Sequence, residues 1–296
     1  MSSVNNLWFW ILGWSFTLLT VVGNGLVIFL ILKKTQLQTQ PNCLIASLAV
    51  ADIFVGLAYF PQIFVQSFTC HSDICDDVFF VTRHFFQYCS ITNLCVMLAD
   101  RYISITKPLK YITFLTAKRI ALLLVAAWTT PLIFFVVPQT MIILFADEEQ
   151  DNIFSMLKTL LFNTLPMILL IVLTTRVLVV ARNLARKSCA LQAQVRFNYR
   201  NNAIAIKTSS SEIFERQSIA KMMILVMVIF ILCSAAEHWK GFCSCEWNLC
   251  CDIPENIGNI LDLICIINSA ANPVAYSFLK KDFKDQLRRL FSHNGP

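Results

Sequence analysis

The chain is expected to be an all-α membrane protein: a seven-transmembrane helix bundle with a short amphipathic eighth helix on the inner leaflet. Three observations carry this. The 296 residues are 57% hydrophobic and only 14% charged, too apolar for a domain wrapped in a polar coat. Seven stretches reach the roughly 20 largely apolar residues that a spanning helix needs. The basic residues also gather in alternate loops, as they do in multi-pass proteins.

The predicted spans are about 7–32, 42–68, 76–104, 118–140, 154–182, 214–240 and 255–278, joined by short loops into a single domain over 1–296. Residues 7–32 and 120–146 contain no charge at all. The first stretch is longer than a signal-peptide core and has no basic leader before it, so it reads as a span. Trp8, Trp10 and Trp14 near its start suit an interfacial aromatic belt. After the seventh span, Leu279, Phe283 and Leu287 recur every four residues among Lys and Arg, which predicts an amphipathic helix over 279–291 lying on membrane lipid.

Charge sets the expected orientation. One set of loops holds 21 of the 24 Lys and Arg, and the other holds 12 of the 18 acids, including DEEQD at 147–151. The positive-inside rule then puts the N-terminus outside and the C-terminus in the cytosol. The net charge of +6 is an inner-face charge opposite anionic lipid rather than a nucleic-acid signature. Six cysteines, Cys70, Cys75, Cys243, Cys245, Cys250 and Cys251, fall on the outer side where disulfides persist, and sequence leaves their connectivity open. Cys43, Cys89, Cys95, Cys189, Cys233 and Cys265 read as packing residues.

Ionisable groups inside a span are costly and therefore candidates for function. Asp52 stands midway along span two, Ser90 in span three, and Asn268, Ser269 and Asn272 in span seven. A carboxylate among hydroxyls and amides suits a small hard cation or a proton, and equally a hydrated hydrogen-bond network without an ion. Asp100 and Arg101 at the inner end of span three form either a solvated helix end or a charge latch that a partner opens.

The motifs decide between these. GNGLVI around Asn24, SLAVAD ending at Asp52, DRY at 100–102, Trp128, Pro166 and NPVAY at 272–276 occur in one order, one per helix. In this the chain resembles the rhodopsin-like (class A) G protein-coupled receptors over essentially its whole length. The resemblance implies a plasma-membrane receptor that passes binding of an extracellular small molecule or peptide to a heterotrimeric G protein. It implies a latch in which Asp100 holds Arg101 until activation, with Tyr102, Asn272, Pro273 and Tyr276 in the switch and Leu109 touching the G protein. Glu212 or Glu215 would supply a second lock. It also implies an allosteric sodium ion at Asp52, Ser90, Asn268, Ser269 and Asn272, no covalent cofactor, and a transmission triad of Pro166, Ile91 and Phe230.

The chain departs from that pattern in four places. Ser234 and Ala236 replace the span-six Trp and Pro, and Thr174 replaces a span-five tyrosine. No cysteine lies between Cys95 and Cys189, so the usual bridge to the second outer loop cannot form; Cys75 is expected to bond Cys70 instead. None of the 17 asparagines opens a glycosylation sequon. These losses leave open whether the receptor signals constitutively.

By family position, Arg83, His84, Gln87, Lys158, Glu237, His238 and Asp262 face the ligand pocket. Arg83 stands where amine receptors carry an aspartate, and Ile266 where photopigments carry the retinal lysine. Both signs of charge together suit a zwitterion, a carboxylate or a charged peptide; Arg83 paired with Asp262 is the alternative. His84 and His238 read as packing or hydrogen-bonding residues rather than zinc ligands. The short second outer loop resembles that of melanocortin-type receptors, and NSAANPVAYSFLKKDF is similar to adenosine or trace-amine types. A transporter would need helices broken by glycine or proline at mid-membrane, and the chain has only 7 glycines. An enzyme would need a catalytic motif such as H-E-x-x-H or G-x-S-x-G, and neither occurs.

Overall fold

The computed structural model describes residues 6–69, 72–107, 111, 116–145, 148–198, 224–225, 228–236, 239, 254–279 and 283–286. Helix α1 covers Leu7–Lys33, α2 Gln40–Phe68 and α3 Asp73–Thr106. Helix α4 runs from Ala117–Pro131 through a π-helical turn, Leu132–Val136, into Val137–Phe145. Helix α5 runs from Glu148–Thr159 through a second π turn, Leu160–Thr164, into Leu165–Asn198. The described part of α6 covers 228–236, α7 is Glu255–Leu279, and a last helical turn, α8, covers 283–286. Among the described residues five helices are long and apolar enough to cross a membrane. The 34-residue α3 adds length with more polar residues.

Two helices outrun their expected spans for one reason. The stretch from 120 to 146 has neither charge nor glycine, so nothing ends α4 at 140; it reaches Phe145. Helix α5 likewise meets no glycine or proline between Met167 and Asn198. Each π turn lies just before a proline. Pro138 and Pro166 lack the N–H that would bond the carbonyl four residues earlier, at Phe134 and Phe162, and a local widening to i→i+5 bonds absorbs the loss.

Helix α3 sits at the centre, packed on α2, α4 and α5, while α1 lies against α2 and α7. Interior polar groups tie these contacts. Trp128 Nε1 donates to Ser47 Oγ at 3.0 Å, Ser47 Oγ to Asn93 Oδ1 at 2.7 Å, and Asn93 Nδ2 to the Cys89 carbonyl at 2.8 Å, linking α4, α2 and α3. Thr92 Oγ1 donates to the Ala127 carbonyl at 2.6 Å. Asn24 Nδ2 donates to the Ser269 carbonyl at 3.3 Å, joining α1 to α7. Such interhelical bonds contribute on the order of 0.6–2 kcal/mol each in a bilayer, so the net rather than any one bond matters.

Two expectations are corrected. Phe283, expected on the lipid face of the terminal amphipathic helix, is fully buried in the bundle core, and Gln286 Nε2 donates to Gln36 Oε1 at 2.8 Å. The turn after α7 is therefore docked on the first inner loop, because Phe283 gains more contacts among protein side chains than among lipid tails. Cys43, expected to pack inside, is exposed, with Asn42 and Leu44 on either side taking the buried positions. Cys75 is disulfide-bonded, and its partner lies outside the described residues.

The α1–α2 contact needs glycine at position 13. A Cβ there would lie 1.9 Å from the Phe60 ring, which is fixed among Phe9, Trp10 and Trp14. Gly13→Ala is expected to destabilise the purified protein by about 1–3 kcal/mol, the usual cost of overpacking. A thermal unfolding scan in detergent checks it; an unchanged midpoint would mean that α1 packs elsewhere.

Candidate functional site

Asp52 has no solvent exposure, and donors from two other helices reach it. Ser90 Oγ of α3 donates to Oδ1 at 2.6 Å, and Asn272 Nδ2 of α7 donates to Oδ2 at 2.8 Å, with the buried Ser269 of α7 close by. On α7, the buried Oδ1 atoms of Asn272, at this carboxylate, and of Asn268, one turn before it, have no hydrogen-bond partner. A carboxylate, two hydroxyls and two uncommitted amide oxygens form an all-oxygen donor set that fits the hard monovalent cation the family resemblance implies. Pro273, one residue on, touches α1 where Gly23 leaves room: a Cβ at Gly23 would lie 2.8 Å from its ring.

At the inner end, Asp100 and Arg101 are both buried, 4% and 8% exposed, which rules out a simply solvated helix end. Arg101 Nε lies 3.7 Å from Asp100 Oδ2, and Tyr111, beyond the end of α3, donates its hydroxyl to Asp100 Oδ1 at 3.0 Å. Burial, and then the negative charge of Asp100, hold the Tyr111 hydroxyl above its ordinary range, with Arg101 acting the other way; the phenol therefore stays a donor at physiological pH. Arg101 Nη2 is buried with no hydrogen-bond partner. An unsatisfied buried guanidinium nitrogen is a ready donor for whatever acceptor enters this end. Tyr102 is half-buried beside them. Leu109, Glu212, Glu215 and the Tyr276 side chain lie outside the described residues.

At mid-helix, just outward of Ser90, α3 carries an aromatic clasp. Tyr88 stacks on Phe162 of α5 with centroids 4.3 Å apart and 13° between planes, and Phe135 of α4 meets it edge-on at 4.9 Å. Both phenylalanines come from the π turns, so the prolines aim them. The basic groups then rest on rings. Lys158 Nζ is 5.0 Å from the Phe80 ring centre, and the Arg83 guanidinium is 5.6 Å from that of Tyr59. His84 lies on Phe80 at 4.2 Å, with Nδ1 2.9 Å from the Phe80 carbonyl oxygen. Gln87 is half-buried in the next turn of α3.

The alternative in which Arg83 pairs with Asp262 is not formed; among the described residues, the one ion pair within 4.0 Å is Asp100 with Arg101. Tyr59 stands between them instead, donating its hydroxyl to Asp262 Oδ1 at 3.2 Å while Arg83 covers its ring. Asp262 therefore faces a cavity of about 320 Å³ between α1, α2 and α7, together with Glu255 and the rings of Phe9, Trp10 and Phe68. Asn6 Nδ2 donates to Glu255 Oε1 at 2.7 Å at its rim. No basic residue lines it among the described residues. Glu237, His238, Cys70, Cys243, Cys245, Cys250 and Cys251 lie outside the described residues.

Pro166, Ile91 and Phe230 are all buried, the last two in one core cluster. Thr174 is buried in α5 with no partner for its hydroxyl.

The chain matches the model of the 7 transmembrane receptor (rhodopsin family) over residues 23–276. It belongs to that family. The receptor is 26% identical to Octopamine receptor beta-2R of Chilo suppressalis across 93% of this chain and 77% of that one. It is 28% identical to Trace amine-associated receptor 9 of Mus musculus across 93% and 82%. A stretch covering 38% of this chain and 22% of Dopamine receptor 2 of Drosophila melanogaster is 40% identical. As a family member the receptor is a multi-pass membrane protein that is activated by ligand and signals through heterotrimeric G proteins; it is not an enzyme.

Sequence reasoning missed Tyr111, Tyr59, Tyr88 and Glu255. Glu255 was within reach, since it stands seven residues, or two helical turns, before Asp262 and so shares its face. Removing only the hydroxyl in Tyr111→Phe is expected to raise ligand-independent nucleotide exchange by up to about tenfold, from loss of one charge-assisted bond worth about 1.5 kcal/mol. GTPγS loading by purified receptor and G protein measures it; unchanged basal loading would detach Tyr111 from the latch.

Proposed function

We propose that the receptor sits in the plasma membrane with its N-terminus outside, and that its ligand is a small zwitterion whose ammonium group enters the cavity of Glu255 and Asp262. The observation that supports this most is the sorting of charge at the outer end. Two carboxylates and three aromatic rings line one cavity, while Arg83 and Lys158 sit on the far side of Tyr59 and on Phe80. Carboxylates beside aromatic faces attract an organic cation twice, by charge and by the ring quadrupole. Tyr59, bonded to Asp262 and covered by Arg83, puts an anion-seeking group one ring away from a cation-seeking one.

The relatives carry the names of amines: octopamine, trace amine and dopamine. In this chain the acid is supplied from α7 rather than α3, where Arg83 stands, so a bare amine would satisfy only half of the site. The inner latch transmits the event: Asp100, held by Tyr111, keeps Arg101 in place, and its release frees the guanidinium for the G protein, with Leu109 as an apolar contact. A ligand shifts this balance only through its different affinity for the two states.

We read Asp52, Ser90, Asn268, Ser269 and Asn272 as the residues that would hold a sodium ion, which would neutralise the buried carboxylate between α2, α3 and α7. Binding to the folded state alone raises stability by mass action. The unliganded receptor is accordingly expected to unfold at a higher temperature in sodium chloride than in equimolar potassium chloride, and Asp52→Asn to lose the difference; equal midpoints in both salts for the unaltered protein would remove the ion from the account.

A screen of amino acids and simple amines in cells carrying promiscuous G proteins tests the ligand reading. Asp262→Asn is expected to lower the potency of an active zwitterion by roughly 30-fold or more, since truncating one side of a desolvated charge pair costs about 2–5 kcal/mol. Arg83→Gln is expected to narrow the gap between the zwitterion and its decarboxylated amine. Equal potency of the two on the unaltered receptor would overturn the zwitterion, and full output without any added compound would mark the receptor as constitutive.

A further inference from the structure

An α-ammonium group on Asp262 occupies one carboxylate of the outer cavity and leaves a second, Glu255, to be explained. The helix dipole accounts for an acid in the first turn of α7. It does not account for where that acid points. Glu255 Oε1 is drawn across the rim onto Asn6, a buried residue at the start of α1 whose Nδ2 donates at 2.7 Å. This bond fixes the carboxylate over the cavity and uses one lone pair of about four.

Spacing then sets a length. Glu255, Asn259 and Asp262 recur at i, i+4 and i+7, so one face of α7 presents two carboxylates and an amide to the same cavity. Seven residues of helix separate the acids by about 10.5 Å along the axis. Carboxylates that far apart do not share one cation; they suit two, joined by a chain. The nitrogens of an extended lysine lie roughly 7 Å apart, and each approaches its carboxylate to about 2.8 Å. The wall between the acids is aromatic. Trp10 is held edge-on by Phe60 at 5.6 Å and Phe64 at 5.5 Å, and meets Phe68 at 5.4 Å. Methylenes lie along such rings, and the cation at their end gains from the ring faces.

Charge points the same way. Glu255 and Asp262 are two anions, and Arg83, whose guanidinium lies 5.6 Å from the centre of the Tyr59 ring, is one cation. A basic amino acid is the mirror image, with two cations and one carboxylate. Among the described residues no base lines the cavity, so an acidic side chain would meet only like charge there. We propose that the ligand is a basic amino acid of about lysine length, with its α-ammonium on Asp262, its carboxylate on Arg83 and its side-chain cation on Glu255. This rests on the zwitterion proposed above and adds the third contact.

The test measures potency in cells carrying promiscuous G proteins, with surface receptor quantified for every variant. Lysine is compared with norleucine, which keeps the chain and loses the cation, and with 2,3-diaminopropionate, whose cations are too close together. Lysinamide, with its carboxylate blocked, is the third comparison. Glu255 is exposed at the mouth, so its pair with the side-chain cation adds a few-fold and the rings a similar factor. Lysine is therefore expected to be at least about fivefold more potent than norleucine or 2,3-diaminopropionate. Glu255→Gln is expected to erase that preference, and Glu255→Lys to transfer it to glutamate. Asn6→Ala, which removes only the bond that positions Glu255, is expected to reduce it to about twofold. Norleucine or 2,3-diaminopropionate equal to lysine would overturn the side-chain contact and leave the zwitterion standing. So would a lysine preference unchanged in Glu255→Gln and Asn6→Ala. Lysinamide as potent as lysine would instead overturn the zwitterion, and this assignment with it. A response to none of the compounds would overturn both.

Discussion

Burying a carboxylate in a bilayer-spanning bundle is among the most expensive things a membrane protein does, and the rest of this receptor is arranged around one. Asp52 has no exposure, so every lone pair it carries must be answered by protein or by an ion. Ser90 and Asn272 answer from α3 and α7, at 2.6 and 2.8 Å. That requirement draws three helices to one depth, and α1 follows because Asn24 bonds the Ser269 carbonyl at the same level. The geometry leaves the amide oxygens of Asn268 and Asn272 uncommitted. Packing thus leaves polar atoms around Asp52 that no protein group answers.

From that centre the two ends of α3 diverge in chemistry. The outer end is aromatic. Pro138 and Pro166 each cost a helix one hydrogen bond, and the π turns that absorb the loss carry Phe135 and Phe162 onto Tyr88 from opposite helices. Those rings, with Phe80 and Tyr59, give Lys158 and Arg83 something to rest on in a region with little water. The bases are thus held on the rings of Tyr59 and Phe80, while Asp262 turns towards α1 and α2. The inner end is ionic. Asp100 serves a guanidinium on its own helix and a phenol from the following loop, and Arg101 keeps one buried nitrogen unsatisfied.

How much of this could be read from the residues depends on whether the interaction is local. Five spans among the described residues were legible because a bilayer imposes length and polarity on each segment separately, and DRY, NPVAY and Asp52 were legible because each is compact in sequence. Whether Arg83 pairs with Asp262 stays open in the sequence: opposite charges at similar depth allow a pair, and a tyrosine from a third helix takes the space between them. Phe283 was misplaced for a similar reason. Its spacing predicts an amphipathic helix, yet periodicity says only that a face is apolar and not whether lipid or protein covers it. Tyr111 left no trace at all, since a single tyrosine in a loop carries no pattern.

What the sequence determined by itself was therefore the set of helices, the sign of charge at each end and the family motifs, all of which follow from composition within one segment. Only the tertiary structure decided which side chains meet. It placed Tyr59 between Arg83 and Asp262, Tyr111 on Asp100, and Glu255 with Asp262 in an aromatic cavity. The physical reason is that a hydrogen bond or ring contact acts over a few ångströms, and closeness between different helices is created by packing rather than by position along the chain.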